Sequence, residues 1–291
     1  MSKTKKRLLY SAYIFSVTVF FLYYLFPSED IKGYVLFYAN HAVPDMNVSV
    51  EHVEPAFPPG LRFSKVVVYY QGKPVLEADR LKAVPGILSL LKKELKLHFN
   101  SSLYNGNVSG EFAVPLKESN RLFVSADIED IQLDKLMPLM KDIIPHNVFG
   151  VLKGAVTYER GENPRQATAE SDFQIMDCGI DLARPLYGVD GIRFREIDGG
   201  FVLKGSRLKI ERITGSGDDM DADISGSVVI MMNRLDRSIL NIDGDISPHP
   251  GLLGKMGDMA SINSFIKSKA GKGGLGFRVR GTPANPRFSL K

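Results

Sequence analysis

The sequence predicts a mainly β chain of the α+β kind: an N-terminal transmembrane helix, then a long, curved, largely antiparallel sheet with a few short packing helices. Three observations predict it. One charge-free apolar run lies near the N-terminus, and no later run is long enough to span again. Segments with period-two alternation, rich in β-branched and aromatic residues, dominate the rest of the chain. A short strand phrase, apolar-x-Gly-x-apolar, recurs through that β-rich part.

The apolar run is Leu8 to Phe26, nineteen residues without a charge. As a helix it extends roughly 28 Å, close to the hydrocarbon thickness of a bilayer. Tyr23 and Tyr24 stand at its far end, where aromatic rings favour the interface. Lys3, Lys5, Lys6 and Arg7 precede it and, by the positive-inside rule, fix the N-terminus in the cytoplasm. A cleaved signal peptide needs a shorter apolar region and small residues at its cleavage site. This run instead ends Leu25-Phe26-Pro27-Ser28-Glu29, so a retained anchor is expected. The chain divides into a cytoplasmic tail (1–7), a transmembrane helix (8–26) and a β-rich domain outside the cytoplasm (27–291). The net charge of +4 belongs to the membrane end, because the remainder balances at 33 basic and 33 acidic residues. A neutral body offers no cationic field for nucleic acid.

Residues 29–44 predict a short amphipathic helix with Ile31, Val35 and Tyr38 on one face, stopped by Pro44. Strands are expected at Asn47 to Val53 and Leu61 to Tyr70, then, after Lys73-Pro74, at Val75 to Ala83. Further helices are expected at Val84 to Leu95, Leu133 to Ile144 and Gly251 to Lys267, each from an apolar stripe at helical spacing. The single cysteine, Cys178, allows no internal disulfide and reads as a small buried apolar residue.

The recurring phrase appears as Val108-Ser-Gly110-Glu-Phe112, Leu152-Lys-Gly154-Ala-Val156, Ile224-Ser-Gly226-Ser-Val228 and Ile242-Asp-Gly244-Asp-Ile246. Partial copies are Leu203-Lys-Gly205 and Val279-Arg-Gly281. The period of two puts each glycine on the face of its apolar neighbours. A glycine there permits a bulge, curvature or close approach of another surface. Two readings stay open. In one, a twisted sheet packs on the helices. In the other, an open apolar trough holds acyl chains, lined by Val108, Gly110, Phe112, Val156, Ile224, Gly226, Val228 and Ile242. Under the second, Gly110→Phe or Gly226→Phe should block lipid without unfolding the chain.

Catalytic signatures are missing. There is no nucleophile elbow, no phosphate-binding loop and no H-E-x-x-H, and no two of the five histidines lie within four residues of each other. Neither an enzyme, nor a cofactor, nor a metal is therefore expected. Gly271 to Gly276 spells G-x-G-x-x-G, but it follows a helix and enters a strand at Leu275, the reverse of the dinucleotide context, so it reads as a linker. Asp219, Asp221 and Asp223 resemble the start of a calcium loop, yet Ile224 and Ile230 stand where glycine and glutamate are needed. The alternation places the three aspartates on the solvent face of a strand. Lys267, Lys269 and Lys272 form a small basic run, as a helix end favours.

Leu103 to Gly110 reads L-Y-x-G-x-V-x-G, and the chain closes on G-T-P-A-N-P-R-F, Gly281 to Phe288. With the single anchor and the glycine-punctuated strands, these phrases resemble AsmA-like proteins. Length and the single anchor look like the protein N (GspN) family of type II secretion systems, over nearly the whole chain after about residue 5. The resemblance implies a single-pass inner-membrane protein with a periplasmic body, accessory to an apparatus that exports folded proteins and docking other secretion-system subunits. It also implies an alternative role in binding or transferring phospholipid or fatty acid. Lipid-bridging relatives are usually far longer, which favours a local role at the inner membrane.

Overall fold

The computed structural model describes the chain apart from residues 1–2, 43–45, 58, 87, 90–92, 117–120, 141–145, 164–165, 187–188, 232–233 and 256–273. It is mainly antiparallel β-sheet with a few helices, and divides into two units, Met1–Pro85 and Gly86–Lys291.

The first unit holds helix α1 (Lys3–Tyr24), helix α2 (Ser28–Ala42) and strands β1 (Met46–Ala56), β2 (Gly60–Tyr70) and β3 (Lys73–Pro85). α1 forms where the apolar run predicts a helix. The transmembrane assignment does not come with it: among the described residues no helix is long and apolar enough to cross a membrane. Tyr10, Ser11, Tyr13, Ser16, Thr18, Tyr23 and Tyr24 dilute the apolarity of the run, and the side chains of Leu8, Phe15 and Leu22 lie outside the described ones. Leu9, Ile14, Phe20 and Phe21 are exposed, and Val17 and Val19 are half-buried.

α2 packs against β1. The Val48 amide donates to Asn40 Oδ1 at 2.6 Å, and Lys32 Nζ donates to the Glu51 carbonyl at 2.9 Å. Its half-buried face carries Ile31, Val35 and Ala39. Tyr38, expected on that face, is exposed instead. The three strands form a meander in which Val50, Val66 and Ala78 sit opposite one another and are buried, as are Val53 and Phe63. The turn from β2 to β3 is Gln71-Gly72, both at positive φ, rather than Lys73-Pro74. That two-residue geometry matches the twist of the strands it joins.

The second unit holds eleven strands: β4 (Glu94–Leu103), β5 (Gly106–Pro115), β6 (Leu122–Gln132), β7 (Asn147–Arg160), β8 (Thr168–Leu186), β9 (Val189–Lys204), β10 (Arg207–Ser216), β11 (Met220–Val229), β12 (Ile239–Pro248), β13 (Leu275–Thr282) and β14 (Asn285–Leu290). Each pairs antiparallel with the next in sequence. Tyr104 and Asn105, both at positive φ, close the β4–β5 hairpin. Gly205 lies in the β9–β10 turn at φ +61°, so the partial copy Leu203-Lys-Gly205 marks a strand end and not a strand interior.

Helix α3 (Leu133–Met140) packs on β7, the one substantial helix–strand contact among the described residues of this unit. Residues 141–144 of the expected helix lie outside the described residues. Helix α4 (Pro250–Lys255) opens the last expected helix, whose residues 256–267 also lie outside them, as do Lys267, Lys269 and Lys272. The helix expected over Val84 to Leu95 is displaced. β3 runs to Pro85, only Leu88 and Ser89 are helical among the described residues, and β4 begins at Glu94. Leu95, Leu97 and Phe99 alternate along β4, so leucines at helical spacing serve a strand.

Candidate functional site

Directly opposed residues of an antiparallel pair point to the same face of a sheet. The register from β5 to β14 therefore shows which side chains share a surface. One row runs Gly110, Ala126, Val156, Ser171, Phe201, Ile210, Gly226, Ile242, Val279 and Phe288. The row on one side of it runs Val108, Ile128, Gly154, Phe173, Gly199, Ile213, Ile224, Gly244, Phe277 and Leu290. The row on the other runs Phe112, Val124, Tyr158, Ala169, Leu203, Leu208, Val228, Leu240, Gly281 and Pro286. The β-bulge between Ile210 and Ile213 keeps Ile213 on this face despite its odd spacing.

All eight residues that the sequence places on a trough, Val108, Gly110, Phe112, Val156, Ile224, Gly226, Val228 and Ile242, lie in these three rows. Most of the rows are half-buried. Ser171, Gly244 and Phe277 are buried, and Phe288 and Leu290, on the edge strand, are 63% and 52% exposed. A sheet normally buries its apolar face against a second layer. Here the substantial contacts of each strand are with its neighbours, apart from α3 on β7. The reading of a sheet packed on four helices is thus not carried by the described residues.

The glycines serve close approach. A Cβ at Gly110 would fall 2.0 Å from the Ser125 carbonyl oxygen and 2.7 Å from the Phe99 ring. At Gly226, whose φ is +149°, it would fall 2.3 Å from the Asn241 carbonyl oxygen. The Ser125 and Asn241 contacts are with the backbone of the next strand, so Gly110→Phe and Gly226→Phe would break strand pairing rather than fill a lipid site in an intact fold. Aromatic rings cover other glycines: a Cβ at Gly199 would meet Phe173, and one at Gly244 would meet Phe277. Phe277 in turn stacks on Phe288 at 5.7 Å.

The opposite face is polar and dressed with ion pairs. Lys96 Nζ meets Glu111 at 2.7 Å, which holds the Glu111 carboxyl below its ordinary range. Arg212 Nε donates to Asp223 at 2.9 Å. Asp243 gathers Arg280 at 2.8 Å, Lys291 at 3.0 Å and Arg278 at 3.2 Å, and these cations, Arg280 foremost, hold its carboxyl far below the usual range. A depressed carboxylate stabilises the fold at pH values above its unfolded value, about 3.9. That stabilisation is lost as pH falls through the folded value. Asp243→Asn should therefore lower the thermal midpoint at neutral pH, and the gap from the parent should narrow below about pH 4. Melting curves of both forms from pH 8 to 3 check this; a gap that stays constant would refute the assignment.

The aspartates of the would-be calcium loop part company. Asp219 precedes β11, is buried and accepts the Arg193 amide at 3.1 Å, so it is not on a solvent face. Asp221 pairs with His249 at 3.0 Å, and Asp223 with Arg212. A cleft of about 540 Å³ on this side is lined by Asp198, Arg212, Asp223 and Asp245 among others. Among the described residues no group of three or more His, Cys, Asp or Glu could hold a metal ion. Cys178 is 2% exposed opposite Phe194 on β9, and burial pushes its thiol upward. At the other end of the chain, Lys5, Lys6 and Arg7 are exposed on the first turns of α1, while the side chain of Lys3 lies outside the described ones.

What this arrangement can do is bind. It offers a broad apolar surface on one side and a solvated, ion-paired surface on the other. No family model, curated protein or solved structure matches the chain.

Proposed function

We propose that this protein is a non-enzymatic, membrane-anchored component of the bacterial envelope. α1 holds it in the inner membrane, the N-terminus is cytoplasmic and the β-rich body is periplasmic. Its setting is the type II secretion apparatus, as an accessory inner-membrane component. That setting rests on the GspN-like and AsmA-like phrases Leu103 to Gly110 and Gly281 to Phe288. The anchor rests on the charge-free Leu8 to Phe26, the basic Lys3 to Arg7 and the exposed apolar side chains of α1, which water alone would not favour.

The observation that carries a binding role is the half-buried apolar face spanning β5 to β14. Its occupant is either a secretion subunit or lipid, and the chemistry of the rows favours acyl chains. Protein interfaces carry about one hydrogen bond per 100–200 Å². These rows are almost wholly Val, Ile, Leu, Phe, Ala and Gly, with Ser171, Tyr158 and Pro286 as exceptions, and hydrocarbon asks for no hydrogen bonds. A lipid-binding module within a secretion envelope reconciles both expectations.

Two experiments test the proposal. Alkaline carbonate should leave the full chain in the membrane fraction; release into the supernatant would overturn the anchor. Native mass spectrometry of the full chain, released from mild detergent, should show phospholipid or fatty acid at a fixed ratio. A lipid-free protein that instead captures secretion subunits from membrane extracts would move the face from lipid to protein docking.

A further inference from the structure

α2 has two faces, and only one belongs to the fold. Ile31, Val35 and Ala39 turn toward β1. The opposite face carries Tyr34, Phe37, Tyr38 and His41, at spacings of three, four and seven, which is one continuous helical stripe. Tyr34, Phe37 and Tyr38 are 64%, 58% and 56% exposed. The rings lie against one another, Tyr34 on Tyr38 at 4.6 Å and Phe37 on His41 at 4.3 Å. An amphipathic helix on a water-soluble body would reverse this pattern and put its polar face outward.

The connection to α1 says what covers the stripe. α1 ends at Tyr24 and α2 begins at Ser28, so the first residue of α2 lies no more than about 14 Å from the end of α1. If α1 ends at the membrane surface, that reach keeps the start of α2 within the headgroup layer. Tyrosine has an apolar ring and a polar tip, the combination enriched at that depth. We propose that α2 lies along the periplasmic surface of the bilayer, with Tyr34, Phe37, Tyr38 and His41 among the phospholipid headgroups and β1 on its other side. This rests on α1 being the anchor, but adds a second membrane contact that sets how the first unit sits on the lipid.

The chain has no tryptophan, so any one introduced is the sole indole emitter. Phe37→Trp and, separately, Ile14→Trp in the full chain should be reconstituted into phosphatidylcholine vesicles brominated either near the headgroup or near the chain ends. The expected result is blue-shifted emission from Phe37→Trp, with about twofold quenching by the shallow bromines, since interfacial helices bury roughly 5–10 Å deep. Ile14→Trp should be quenched more by the deep ones. Water-like, unquenched emission from Phe37→Trp beside deep quenching of Ile14→Trp would overturn the proposal and leave the anchor standing. Shallow quenching of Phe37→Trp without deep quenching of Ile14→Trp would keep α2 at the surface and overturn the transmembrane reading. Loss of quenching at both positions would overturn both.

Discussion

Gly226→Val should cost the protein a large share of its stability. The substitution meets two separate penalties. A β-branched residue at φ +149° carries backbone strain of order 1–3 kcal/mol. Its Cβ would also fall 2.3 Å from the Asn241 carbonyl oxygen and 2.8 Å from Ile242 Cα, so β11 and β12 must separate, at typically about another 1–3 kcal/mol. Together these reach roughly 2–6 kcal/mol, against the 5–15 kcal/mol that holds a typical domain. Ser227→Val, one step along the strand and on the other face, should stay within about 0.5 kcal/mol of the parent. Denaturant midpoints of the three proteins decide the matter. A Gly226→Val midpoint equal to that of Ser227→Val would show that β11 and β12 do not approach so closely.

Under the proposed lipid role, Ile242→Asp should leave the fold standing and abolish lipid retention. Ile242 sits in the middle row and is half-buried, with a glycine opposite it on β11 and Val279 opposite it on β13. If the face is open, water can solvate the carboxylate in the lipid-free protein. In contact with hydrocarbon the same charge costs about 2.5–3.5 kcal/mol, which is roughly a hundredfold in affinity. Ser225→Asp on the polar face of β11 should retain lipid like the parent. Lipid extracted per mole of protein is the measurement. If Ile242→Asp unfolds instead, the rows form a closed core and the lipid reading fails with them.

The legible parts of the fold rest on periodicity. The period of two along β5, β7, β11 and β12 assigns the eight apolar and glycine positions to a common face of each strand. The register then joins those strands without a change of face, even across the bulge at Ile210 to Ile213. Three features cannot be read in this way. Strand pairing is long-range, so nothing local to Gly110 or Gly226 shows that the neighbouring backbone fills the gap beside it. Leu88, Leu91 and Leu95 fit a helical stripe, but Pro85 and Gly86 punctuate the segment and Leu95 already belongs to β4. In α2, aromatic residues counted as apolar draw Tyr38 onto the wrong face, because hydrophobicity alone does not distinguish a ring packed on a strand from one turned outward.

Membrane crossing is where sequence and structure part most plainly. Absence of charge singles out Leu8 to Phe26. Hydroxyls at Tyr10, Ser11, Tyr13, Ser16 and Thr18 lower the mean apolarity of the run, and among the described residues no helix is long and apolar enough to cross a membrane. Charge and hydropathy are separate criteria: the run Leu8 to Phe26 is free of charge, whereas α1 as a whole also carries Lys3, Lys5, Lys6 and Arg7.

The meander of β4 to β14 bears on how the body can be assembled. Every strand finds its partner in the next segment of chain, so no pairing waits for a distant part of the sequence. Such local wiring lowers the entropy of loop closure and favours fast folding for a β protein. It also lets each hairpin form as it emerges during synthesis, on the template left by the one before. The same wiring makes the sheet extensible: a duplicated hairpin would widen it by two strands, roughly 10 Å, without rerouting any other connection.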